Sequence, residues 1–291
     1  MIITDNEFVD IPTPTGPMRT HVLCPVAEGR YPGIVLFSEI FQVTGPIRRS
    51  AAMLAGHGFL VVIPEIFHEL EEPGTVLPYD QPGADRGNAD KINKELFSYD
   101  ADAKAALGYL QSHPKCTGKI GAMGFCIGGH LAFRSAINPE VLAATCCYPT
   151  DIHTRSLGKG LHDDTLDRIP EIRGELLVVF GRQDPHVPRE GRATIYNAWP
   201  TPEQISVGTN STALMHSCET KALDMMLPLH GRSTAWRWIC STASSAKATS
   251  RKFKAPPRRA IDGTLNRWGR APACPNFWKP PTEPAPHFYN T

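Results

Sequence analysis

The sequence predicts an α/β fold, a mostly parallel sheet with helices on both faces. Three observations predict it. Short uninterrupted apolar runs recur along the chain: Gly33-Ile34-Val35-Leu36-Phe37, Phe59-Leu60-Val61-Val62-Ile63-Pro64 and Glu175-Leu176-Leu177-Val178-Val179-Phe180-Gly181. Segments with helical spacing lie between them. Continuous rather than alternating runs mean strands buried on both faces, as parallel sheets require. A hydrophobic content of 41% over 291 residues is enough to fill the core of such a sheet.

In chain order, Thr20 to Leu23 can form an early strand, and Gly33 to Phe37 is the first strong one. Pro46 to Gly58 reads as a helix closed by its glycine. Phe59 to Pro64 is the next buried strand. Glu71 to Asn93 is polar and rich in Pro and Gly, and is expected as a surface excursion. Asp100 to His113 carries helical spacing in Ala103, Ala106, Leu107 and Leu110. Lys119 to Met123 is a strand, followed by a helix over His130 to Ile137. Leu142 to Tyr148 is a further strand candidate, and Asp151 to Ile172 a second polar loop. Glu175 to Gly181 is a strand and Pro188 to Ala198 a helix.

No run approaches membrane-spanning length. The stretch Met1-Ile2-Ile3-Thr4-Asp5 has neither a basic nor an apolar region of a signal peptide. The eight cysteines show no C-x-x-C pair and no zinc spacing, so a reducing compartment, the cytoplasm, is expected. The net charge of +1 hides an asymmetry. Residues 1–198 hold 18 Lys+Arg against 24 Asp+Glu, and residues 199–291 hold 12 against 5 together with all five tryptophans. The chain therefore changes character near residue 199.

Gly124-Phe125-Cys126-Ile127-Gly128-Gly129 joins the Lys119 strand to the His130 helix. This is the context of a nucleophile elbow, G-x-C-x-G in place of G-x-S-x-G. The sharp turn leaves no room for a Cβ at either flank and lifts the central side chain above the sheet. At the positive end of a helix, a thiol is expected to be shifted toward the thiolate. The alternative is a structural cysteine beside packing glycines. Ligands of parallel sheets bind outside the carboxyl ends of the strands. Glu39, Cys126 and Asp184 all stand just past strand ends, which points to a shared site. Asp184 is read as a carboxylate that orients a histidine, or else as a turn or helix-cap residue. His186 lies too close to it to be that histidine. Glu39 is a second candidate acid, or else an ordinary loop residue. The N–H groups of Ile40 and Ile127 are candidates for an oxyanion hole.

Ser38-Glu39-Ile40-Phe41-Gln42-Val43, Gly124 to Gly129 and Gly181-Arg182-Gln183-Asp184-Pro185-His186-Val187-Pro188 together resemble the dienelactone hydrolase family over roughly residues 10–198. The resemblance implies an α/β-hydrolase fold and a Cys-His-Asp triad. It implies Cys126 as nucleophile, Asp184 as orienter and Glu39 as the carboxylate that helps generate the thiolate. Ile40 and Ile127 would be the oxyanion donors. The implied partner is a small ester or lactone substrate, with no metal and no organic cofactor.

The family pattern continues with a strand, a loop of the type G-x-H-x-F that carries the base, and a closing helix. From Trp199 on, this sequence shows none of them, so the fold is expected to lack its last strand and helix. Residues 1–198 then form an incomplete hydrolase domain, and residues 199–291 a disordered basic tail rich in Pro, Ser and Thr. Codons for Trp199 onward, read from their third base, are compatible with A-D-A-G-T-N-F-S-W-H-E-F-N-G and with the missing helix. A frame change near Ala198 or Trp199 is thus a hypothesis. As written, the histidine is absent. His216 stands nearby as a replacement candidate, ahead of His230. Two further readings are a non-catalytic remnant that binds a small carboxylate, and nucleic-acid contact by the basic run Arg251 to Arg259. Off-frame translation yields basic, Pro-rich text without selection, which disfavours the latter. Oligomeric state is left open by the sequence.

Overall fold

The computed structural model describes residues 1–199 and the backbone of residues 205–211. An eight-stranded sheet runs β1 (Ile3–Thr13), β2 (Gly16–Pro25), β4 (Leu60–Pro64), β3 (Tyr31–Phe37), β5 (Cys116–Phe125), β6 (Val141–Cys147), β7 (Glu175–Gly181) and β8 (Ile205–Ser211) in spatial order. β1 pairs with β2, and β2 with β4, antiparallel; every later pairing is parallel. β3 and β4 are buried at every residue, which is why they read as continuous apolar runs.

The helices α1 (Gly45–Gly56), α2 (Gln81–Asn93), α3 (Leu96–Ser112), α4 (Ile127–Ser135) and α5 (Arg189–Asn197) complete the described elements. Two cores form, one on each face of the sheet. Ile34 and Leu36 of β3 pack with Ile47, Ala51 and Leu54 of α1. Val35 and Phe37 of the same strand belong with Leu107 and Leu110 of α3, Leu131 and Phe133 of α4, and Ile195 of α5. Each fully buried apolar side chain contributes about 1.5–3 kcal/mol, so this period-two division of one strand is what holds helices to both faces.

The chain leaves β3 toward β4 on one side and returns to β5 on the other, so the connections diverge between β3 and β5. A crevice opens at the carboxyl ends of strands flanking such a point. Register brings Phe37 of β3 opposite Gly124 of β5, and Phe125 opposite Cys147 of β6. The residues that follow these three strands therefore meet at one edge.

Three expectations are corrected. Glu71 to Asn93 is no mere excursion, because α2 occupies its second half. Its buried residues are Gly83, Gly87 and Asp90, so no apolar stripe betrays it. What starts it is Asp80, whose carboxylate accepts from Gly83 N–H at 2.8 Å, with Pro82 in the first turn. Second, the chain does carry a strand after Ala198. β8 pairs in parallel with β7, Val178 opposite Val207. Its sequence Ile205-Ser206-Val207-Gly208 alternates in the period of a strand and contains no continuous apolar run. Third, Trp199 is not tail but core: it is buried, with its ring 5.8 Å from that of Phe133 on α4. The expected closing helix and the rest of residues 199–291 lie outside the described residues. Among the described residues no helix is long and apolar enough to cross a membrane.

Candidate active site

β5 ends at Phe125 and α4 begins at Ile127, so Cys126 alone makes the turn. Its backbone lies at φ 57° and ψ −122°, a conformation that a side chain of L configuration rarely adopts. The surroundings hold it there. Cys126 N–H donates to Cys147 O at 3.1 Å, and Cys126 O accepts from Gly129 N–H at 3.0 Å and from Thr150 N–H at 3.4 Å. The flanking glycines are required by space. A Cβ on Gly124 would stand 1.9 Å from Gly128 O, and one on Gly128 would stand 2.4 Å from both Phe37 O and Ser38 O. The elbow read from the sequence is thus present in its geometry.

The expected charge state is not. Burial pushes the Cys126 thiol up to about 12, and the Glu39 charge adds to it; the Ile127 N–H pulls the other way, Asp151 raises and Lys91 lowers. The helix N-terminus does aim a donor at the sulfur, as the sequence suggested. One N–H does not outweigh desolvation and two carboxylates.

Glu39 follows β3 in a tight turn, bridged to Gln42, whose N–H donates to Glu39 O at 3.1 Å. Its carboxylate is buried. The Tyr79 hydroxyl donates to Oε2 at 2.9 Å and the Tyr148 hydroxyl to Oε1 at 3.5 Å. Ile40, in the same turn, is pressed by α2. A Cβ on Gly87 would stand 2.4 Å from Ile40 O, so only glycine lets this helix lie against the turn. Ile127 is fully buried at the start of α4.

Past the end of β6, Asp151 adopts φ 67°. Its Oδ2 accepts from Lys91 Nζ of α2 at 3.0 Å and from Thr150 Oγ1 at 2.9 Å. The thiol thus faces groups from four segments: Glu39, Asp151, Lys91 and the Ile127 amide. The Glu39 charge acts on the Cys126 thiol, and Asp184 stands at the same edge of the sheet, past β7. The Asp184 carboxylate is 7% exposed. One oxygen accepts from His186 N–H at 2.9 Å. Its other oxygen, Oδ2, is buried and meets no hydrogen-bond donor among the described residues. The turn role weighed for Asp184 is therefore real. The helix-cap role is not, since the cap position of α5 is Pro188. His186 is exposed and serves that turn with its backbone. His216 and His230 lie outside the described residues.

Tyr79, Tyr148, Lys91 and Asp151 were missed. Asp151 had a readable signal, four residues past a strand end. Tyr79 sits just before, and Lys91 within, a helix that has no apolar period, so nothing local marked them.

A second titratable cluster lies elsewhere. His68, Glu69 and Asp102 have the donor types for a metal ion, with ligand atoms within 4.8 Å of one another. Lys94 already occupies their midst. Its ammonium lies 2.5 Å from Glu69 Oε1 and 2.7 Å from Asp102 Oδ2. Two carboxylates neutralised by a buried lysine are a structural ion-pair network, and they do not fit a cation.

The Dienelactone hydrolase family model matches residues 18–203. A Saccharomyces cerevisiae relative, provisionally named a carboxymethylenebutenolidase, is 44% identical over 204 residues, covering 67% of this chain and 74% of its own. The carboxymethylenebutenolidase of Pseudomonas putida is 29% identical over 234 residues, 79% of this chain and 88% of its own. Among solved structures, a provisionally named dienelactone hydrolase from Klebsiella pneumoniae superposes with a TM-score of 0.67 at 20% identity. It covers 80% of this chain and 100% of its own. A dienelactone hydrolase-like promiscuous phosphotriesterase from metagenomic libraries gives 0.61 at 19%, over 84% and 99%. Likeness at such identities speaks for the α/β-hydrolase fold alone. The sequence match, which spans well over half of the chain, establishes more: this protein belongs to the dienelactone hydrolase family.

Proposed function

We propose that the protein hydrolyses small esters or lactones through Cys126. The observation that carries this is the strained elbow, a cysteine at φ 57° with a buried carboxylate, Glu39, acting on its thiol. At rest the thiol keeps its proton. As Sγ attacks the carbonyl carbon, Glu39 is the nearby base that takes that proton. The carbon–sulfur bond forms, and the amides of Ile40 and Ile127 hold the oxyanion. When the carbonyl re-forms, the carbon–oxygen bond to the leaving group breaks. The leaving oxygen takes the proton that Glu39 accepted from the thiol, departing as the alcohol of an ester or staying tethered as the hydroxyl of an opened lactone. Water then cleaves the acyl-thiol, assisted by an imidazole that Asp184 orients. No step calls for a metal or organic cofactor. A cytoplasmic setting fits the five free cysteines among the described residues.

The imidazole is the weak point of this chain. We attribute its absence to a frame change near Ala198 or Trp199, where the chain turns basic and rich in tryptophan. His216 is the replacement candidate as written. Sequencing the transcript across codon 199 tests the frame, and an intact reading frame with the same tail rejects the change.

Asp184 Oδ2, which meets no donor among the described residues, favours a second reading, a remnant that reacts once at Cys126 without turnover. One assay separates the two. With a small activated ester, the restored-frame protein is expected to turn over, and Cys126→Ala to lose nearly all of that activity. Turnover that survives in Cys126→Ala rejects the nucleophile. Stoichiometric acylation without turnover by the chain as written identifies the remnant.

A further inference from the structure

Glu39 is held by a residue that the reaction outlined above does not use. Tyr79 donates from its hydroxyl to Glu39 Oε2 at 2.9 Å, and the Tyr79 hydroxyl oxygen lies 2.9 Å from Thr44 Oγ1. With the phenol proton spent on the carboxylate, Thr44 is the donor of that second bond. The ring is 46% exposed, unlike the carboxylate it serves. It is nonetheless fixed from both sides. Its ring lies 4.5 Å from that of Phe41, and Leu77 N–H, two residues earlier, donates to Phe41 O at 3.1 Å. On the other side, Asp80 caps α2 through Gly83 N–H. A Cβ on Gly83 would stand 2.0 Å from Pro78 O, so the chain around Tyr79 is pressed onto the first turn of α2. The helix in turn lies on Ile40 through Gly87. One unit thus carries the phenol, the carboxylate and Ile40. A hydroxyl anchored so firmly fixes both the place and the effective charge of the Glu39 carboxylate, because a hydrogen bond donated to an anion disperses its charge.

We propose that Tyr79 is a positioning residue, which sets the reactivity of Cys126 by holding and partly neutralising Glu39. This rests on Glu39 acting on the thiol as proposed above. Tyr79 acts through Glu39.

The test follows alkylation of Cys126 by iodoacetamide in the full-length chain at a fixed pH, read by peptide mapping, so that turnover is not needed. Cys126→Ser supplies the background. Glu39→Gln removes the opposing charge and should speed labelling by about tenfold, about one unit in the thiol equilibrium. Tyr79→Phe keeps the ring on Phe41, leaves the carboxylate only the longer bond from Tyr148 and should slow labelling by about three- to tenfold. Thr44→Val, which takes away the hydroxyl behind Tyr79, should slow it less. The decisive measurement is the double variant. In the Glu39→Gln background, Tyr79→Phe should change nothing, since two residues acting as one unit do not add. A rate unchanged by Tyr79→Phe in the native background overturns the proposal, as does an equal slowing in both backgrounds. Should Glu39→Gln itself leave labelling unchanged, the coupling of Glu39 to the thiol fails, and this inference with it. A purely structural tyrosine would shift the melting temperature without this background dependence.

Discussion

Cys126 shows how far a local motif reaches. Its two flanking glycines and the strand and helix around them made the elbow legible, since the steric need is local. Its protonation was not, because burial and the Glu39 and Asp151 carboxylates come from elsewhere in the chain. The thiol sits above its ordinary value, so the thiolate is scarce at neutral pH. Alkylation of Cys126 should be slow at pH 7 and climb with pH toward about 12; a plateau below pH 8 would contradict the raised thiol. Linkage has the same sign. A proton held more tightly in the folded protein favours folding below the ordinary value of 9.0, and that advantage is lost as pH rises toward about 12. Gly128 offers a steric prediction. Gly128→Ala would drive a Cβ to 2.4 Å from two backbone oxygens, and should cost about 3 kcal/mol or more in urea unfolding. A loss below about 1 kcal/mol would mean that α4 can shift away from β3.

At the scale of elements, α2 is the instructive case. Its packing surface is glycine and its start is an aspartate cap, so the code for this helix is written in turn chemistry and close approach. Hydrophobic period, the stronger signal elsewhere in the chain, is missing. Asp80→Ala should cost about 1 kcal/mol, measured as a shift in the urea midpoint. Gly87→Ala should do more, because the new methyl would meet Ile40 O at 2.4 Å. It should also change the alkylation rate of Cys126, and by more than Asp80→Ala, which loosens the cap beside Tyr79 but leaves the Gly87 contact with Ile40 in place. Equal effects of both substitutions on that rate would detach α2 from the site. β8 makes the complementary point. An edge strand needs apolar residues on one face only, and its remaining drive is the free backbone edge of β7.

For the whole molecule, the sheet order matters more than any single strand. Placing β3 and β5 side by side brings Glu39 to Cys126 across more than eighty residues of chain, and β6 and β7 carry Asp151 and Asp184 to the same edge. Loss of the closing elements expected of the family would leave apolar surface uncovered, at about 1.5–3 kcal/mol per side chain, against a total stability of roughly 5–15 kcal/mol. The chain as written should therefore melt below the restored-frame protein in calorimetry, and should aggregate first on heating. Equal melting temperatures would remove the case for a damaged ending. A chain ended at Ser211 should in turn melt above one ended at Gln204, since the shorter chain bares the edge of β7.

By itself, the sequence determined the buried strands, the elbow at Cys126, the strand-end acids Glu39 and Asp184, and through their combination the family. Those features depend on residues adjacent in the chain, where burial on both faces and a sharp turn leave a plain mark. Tertiary structure alone decided that Tyr79 grips Glu39, that Lys91 pairs with Asp151, that the thiol keeps its proton and that β7 has a neighbour. Each of these is a meeting of distant residues, and its energy comes from desolvation, charge and backbone pairing that no local pattern records.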